Sequence, residues 1–158
     1  METKHARLQP GLTFAFRLIL GLVFIFASYK KLGNPNENVN AVNVYKILPH
    51  IVGNYLGYSL PWLEMGLGLL LIAGLLPKVA AKLSTAFFII FIVAISQAWI
   101  RHLPINCGCF GNGGVTADGK VHAGAYLTEI IRDIVLLILS AYLIRFPFGR
   151  FGVDKKPE

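Results

Sequence analysis

Cysteine is nearly absent from this 158-residue chain, which has two, Cys107 and Cys109, in the single stretch INCGCFGNGGV. With no thiol elsewhere, the chain cannot pass electrons across a membrane through cysteines alone, because that route needs thiols within the membrane or on both sides of it. Charge is scarce too. Only 15% of residues are charged, against about 25% in an ordinary soluble domain. None of the four histidines (His5, His50, His102 and His122) falls inside a long apolar run, which excludes a haem held between two histidines in a helical core. There is no internal repeat, no low-complexity tract, and no A-x-A-like site after the first apolar run. That run therefore reads as a retained helix and not as a cleaved signal segment.

What the chain has in quantity is apolar sequence: 55% of residues are hydrophobic and the mean hydropathy is +0.61. The excess lies in four runs, at about residues 11–30, 56–76, 79–100 and 124–146. Each provides the ~20 residues that cross a ~30 Å hydrocarbon layer. The expected fold is all-α and integral to the membrane: one domain over 1–158, an antiparallel bundle of four transmembrane helices. Four spans place both termini on one side. Flanking that side are Lys4, Arg7, Lys78, Lys82, Arg145, Arg150, Lys155 and Lys156, eight basic residues against five on the other (Lys30, Lys31, Lys46, Arg101 and Lys120). Positive residues collect on the cytoplasmic face, so the termini are expected inside and the Cys107–Cys109 loop outside. The same bias accounts for the net charge of +7 without invoking nucleic acid.

The first outer loop opens with NPNE. Asn34 suits an N-cap, Pro35 the first helical position, and Glu37 the third position of a capping box. Val39, Val42, Tyr45 and Leu48 then recur every third residue until Pro49. This predicts a short amphipathic helix over about 35–48, lying on the membrane surface. The second outer loop has no such pattern, and its stretches CGCFGNGG and ADGK read as turns.

Three charged residues, Glu64, Arg132 and Asp133, fall at similar depth within the second and fourth runs. Buried charges in a membrane pair with one another or line a cavity. Two readings stand: a Glu64–Arg132 ion pair that fixes helix packing, or a polar pocket for a proton or a quinone head group. Arg17, in the first run, is expected to snorkel towards water. Gly66, Gly68 and Gly74 are expected to let helices approach closely. Trp62, Trp99 and Arg101, placed at outer span ends, are candidates for contacting a quinone.

Outside the cytoplasm disulfides form and persist. Two cysteines one residue apart close too small a ring to restrict the unfolded chain much. Strained, exposed disulfides are the exchangeable ones, so redox exchange leads. Metal capture by two thiolates and an incidental disulfide are the alternatives. His102 or His122, if near in space, would lower a cysteine pKa; each also reads as a plain surface histidine.

CGCFG before the last span, with YKKLGNP, VYKILP and LPWLEMGLGLLLIAGLLP, resembles the MauE branch of the DoxX/MauE membrane family over roughly Leu12 to Phe146. The resemblance implies a bacterial inner-membrane four-helix protein that works with thioredoxin-like periplasmic partners in disulfide traffic, some relatives serving maturation of methylamine dehydrogenase. The positions it marks are Cys107 and Cys109, with Lys30, Pro61 and Glu64. Nothing in the residues points to methylamine metabolism in particular. A bound quinone exchanging electrons with the pair, a docking and maturation factor, and a small metal or solute transporter all fit the same pattern.

Overall fold

The computed structural model describes residues 2–103, 105–106, 114–115 and 123–147. Among the described residues are five helices: α1 (Glu2–Gly33), α2 (Pro35–Val44), α3 (His50–Ala73), α4 (Pro77–Ile100) and α5 (Ala123–Arg145). Between α4 and α5 lie two strands of two residues each, β1 (Ile105–Asn106) and β2 (Gly114–Val115). They pair antiparallel, Ile105 with Val115 and Asn106 with Gly114. All but Gly114 lie outside the stretches read as turns, and two residues are too few for alternation to appear in sequence.

Among the described residues, three helical segments are long and apolar enough to cross a membrane: Gly11–Gly33, His50–Ala73 and Pro77–Ile100. The chain thus has the helices of a multi-pass membrane protein. Outward-facing Leu22, Leu69, Ile90, Val93 and Ile138 are exposed, an arrangement suited to lipid. The fourth expected run forms α5, which carries Glu129, Arg132 and Asp133 within its length.

α1 packs chiefly on α3, and α4 chiefly on α5. Leu20, Phe24, Leu67, Leu71, Phe88, Leu136 and Leu143 form the main buried cluster. Small residues bring the backbones close, since lipid supplies no hydrophobic drive between helices. Gly21 and Gly68 face each other: a Cβ added at Gly68 would lie 2.8 Å from the Gly21 carbonyl oxygen, and one at Gly21 would lie 2.9 Å from that of Gly68. Gly66, expected to do likewise, has open space at its Cβ position. Polar links also cross between helices. Thr85 and Ser140 hydroxyls lie 2.9 Å apart between α4 and α5.

α3 ends on Gly74 in the left-handed conformation (φ 70°), with Gly74 N–H donating to Leu70 O. Arg17 reaches this end from α1, its Nε donating to Leu71 O at 3.0 Å. Arg17 is buried, so it does not snorkel. It supplies a donor and a positive charge where helix carbonyls lack both.

α2 forms where NPNE and the apolar repeat predict it, with Asn34 at the N-cap and Pro35 following. It departs in two ways. Asn34 makes no side-chain cap, and the helix stops at Val44, two residues before Lys46 takes a positive φ of 49°. α3 begins at His50, six residues ahead of the expected span, because its first turns are too polar to register as membrane sequence.

Candidate functional site

The buried charges assemble around a residue that the depth argument passed over. Lys31, in the last turn of α1, places Nζ 2.5 Å from Glu64 Oε1 on α3. Lys31 Nζ also lies 5.1 Å from the centre of the Phe91 ring on α4, and the ammonium interacts electrostatically with Asp133 on α5. Four helices thus meet at one lysine. The expected Glu64–Arg132 pair is not the one formed. Arg132 instead pairs with its neighbour Asp133, Nε and Nη2 donating to Oδ1 at 3.0 and 2.9 Å. Depth along a helix says nothing of direction around it, and consecutive helical residues point about 100° apart. Asp133 points inward and is 1% exposed, while Arg132 remains a quarter exposed and folds back. The same rule separates Lys30 from Lys31. Lys30 is exposed, with its ammonium 5.6 Å from the Phe26 ring; its neighbour enters the core.

Pro61 sits within α3, one turn before Glu64. Proline has no N–H, so the carbonyl four residues earlier loses its helical donor. That carbonyl belongs to Gly57, and the Asn38 side-chain amide of α2 donates to it. Gly57 also allows the close approach: a Cβ there would lie 2.7 Å from Val39 Cα. Asn38 and Val39 are the buried residues of α2. A second amide contact, Asn43 Nδ2 to Asn54 Oδ1 at 2.7 Å, ties the two helices further along.

Both strands rest on α2. The paired strands bracket residues 107–113, which include both cysteines; Cys107 and Cys109 themselves lie outside the described residues. Nearby, Ile95, Ala98 and Tyr126 form a small core with Ala41, Val44, Tyr45, Leu103 and Ile130. Tyr126 donates its hydroxyl to Leu103 O, two residues before β1. The cysteine segment therefore springs from a braced base.

Of the three quinone candidates, Trp99 and Arg101 both contact the small core that holds Tyr126 and Tyr45. Trp62 lies twelve residues into α3, because the helix starts earlier than expected, and it is 67% exposed. Trp99 stacks on Tyr126, ring centres 6.5 Å apart. Arg101 Nη1 donates to Tyr45 O at 2.6 Å. An apolar cleft of about 460 Å³ opens elsewhere, lined by Leu22, Val23, Ile25, Phe26 and Tyr29 of α1 with Met65 of α3. None of the three candidates lines it. Among the described residues, no group of three or more His, Cys, Asp or Glu side chains could hold a metal ion.

A family model described as methylamine utilisation protein MauE matches residues 9–146. MauE of Paracoccus denitrificans is 30% identical over 107 residues, covering 67% of this chain and 58% of that protein. MauE of Methylophilus methylotrophus is 28% identical over 148 residues, or 92% and 74% of the two chains. MauE of Methylorubrum extorquens is 30% identical over 106 residues, or 66% and 57%. The matched stretch thus spans under three fifths of two of these relatives. No solved structure matches the chain.

Proposed function

The chain belongs to the family of methylamine utilisation protein MauE, and from that footing we propose that it is an inner-membrane thiol-disulfide exchange protein. In this reading four antiparallel spans, α5 being the fourth, place both termini in the cytoplasm and Cys107 and Cys109 in the periplasm, and CGCFG marks the link with the wider DoxX/MauE group. The pair exchanges with a soluble thioredoxin-like protein and so supports maturation of a periplasmic enzyme. The relatives' names make methylamine utilisation the process to which that enzyme belongs.

The observation that carries the reading is the position of the chain's only two cysteines in sequence between β1 and β2, strands that pair with each other and rest on α2. In the exchange, one thiolate attacks a sulfur of the partner's disulfide and the partner's second sulfur leaves as a thiolate. The other cysteine then attacks the mixed disulfide and releases the partner. One disulfide and one dithiol have traded places, with two electrons and two protons moved and no external oxidant. The reverse direction uses the same steps.

The test is trapping. With one cysteine removed, the remaining thiol cannot be released from its partner, so Cys107→Ser or Cys109→Ser should accumulate a mixed disulfide with a thioredoxin-like protein. The double variant should insert normally and trap nothing. If both cysteines stay reduced under oxidising growth and neither single variant traps a protein, the exchange reading fails.

A further inference from the structure

We propose that the buried carboxyl pair Glu64 and Asp133 is a proton-binding site, holding one exchangeable proton inside the helix cluster. The argument begins with oxygens that have no partner. Glu64 Oε1 accepts from Lys31, and Asp133 Oδ1 accepts both donors of Arg132. Glu64 Oε2 and Asp133 Oδ2 are buried and accept from no described residue, although Glu64 is 0% and Asp133 1% exposed. A carboxylate oxygen away from water is costly without a donor. In a membrane no solvent stands by to supply one.

Charge balance points the same way. α1 contributes Lys31, α3 contributes Glu64, and α5 contributes Glu129, Arg132 and Asp133; α4 offers the uncharged Phe91 ring. Glu129 interacts electrostatically with both Arg132 and Asp133. Among the described residues two cations therefore meet three carboxyl groups, and full ionisation of these leaves one negative charge uncompensated in a low-dielectric interior. A single proton on the Glu64–Asp133 pair removes that charge and turns a bare acceptor into a donor. Glu129, half-buried and one turn nearer the start of α5, extends the acidic groups towards the end of the molecule that carries β1 and β2. The inference uses no cysteine chemistry and stands apart from the exchange reading.

Infrared spectroscopy of the full-length protein in a lipid bilayer, titrated with pH, tests it directly. Expected is a carbonyl stretch of a protonated carboxyl group that moves on transfer to heavy water and disappears in Glu64→Gln or in Asp133→Asn. Should a variant fail to fold, Glu64→Asp keeps the carboxyl group and is expected to shift the band without abolishing it. Absence of any such band while the protein remains helical would overturn the proposal. So would a band that persists unmoved through the substitutions at both positions.

Discussion

The Asn38 side-chain amide donates to the carbonyl of Gly57, the acceptor that Pro61 leaves without a helical donor. A proline inside a span opens the backbone, and a neighbouring helix supplies the missing bond, as membrane helices require. The bond also holds α2 against α3, and α2 is the seat of the strands that bracket the cysteines.

A mutant cycle tests that relationship. Asn38→Ala strands a buried carbonyl and should cost about 1–3 kcal/mol in unfolding experiments in detergent. Pro61→Ala restores an N–H for Gly57 O, so in that background the same change should cost much less. Equal losses in the two backgrounds would show that Asn38 works through packing and not through this carbonyl.

Lys31→Met should destabilise the protein far more than Lys30→Met, because only Lys31 leaves a buried partner behind. Breaking one side of a buried pair costs about 3–5 kcal/mol. Combining Lys31→Met with Glu64→Gln should recover part of the loss in thermal midpoint. Losses that simply add would mean the two side chains are not coupled.

The glycines of α3 should separate sharply. Gly68→Ala places a methyl group against the α1 backbone, an overpacking that costs about 1–3 kcal/mol. Gly66→Ala meets nothing within 4 Å and should be neutral or slightly stabilising through helix propensity. The comparison is a pair of thermal melts, and equal midpoints would refute the close approach of α1 and α3.

Topology can be read in cells. An impermeant thiol reagent should label Cys107 and Cys109 in intact cells after reduction and not before it. A reporter fused after Phe146 should be active in its cytoplasmic form. Fusions active only outside the cytoplasm would reverse the proposed orientation.

The main helices were legible because about 20 apolar residues in a row have few other uses. α2 was legible from Pro35 and its apolar spacing, although its cap and its end were not. Glu64, Arg132 and Asp133 stood out as charges in apolar sequence, but their pairing did not, and Lys31 was missed as the partner of Glu64. Axial depth is readable from residue number, whereas the direction that separates Lys31 from Lys30 depends on packing. Asn38 gave no sign of itself. Its one available signal was indirect: Pro61 implies an orphan carbonyl at Gly57, and a polar side chain must lie nearby to meet it.

The seating of β1 and β2 on α2 also has a consequence for biosynthesis. Helix α2 is made early, yet the strands that rest on it are separated from it in sequence by α3 and α4. Contacts between distant segments form only after the chain between them is in place. The platform beneath the cysteine segment is therefore completed late, once two further helices have entered the bilayer. Because α2, α3 and α4 all precede Cys107 and Cys109 in the chain, the helix on which β1 and β2 rest is already made when the thiols are synthesised, and only β2 remains to follow them.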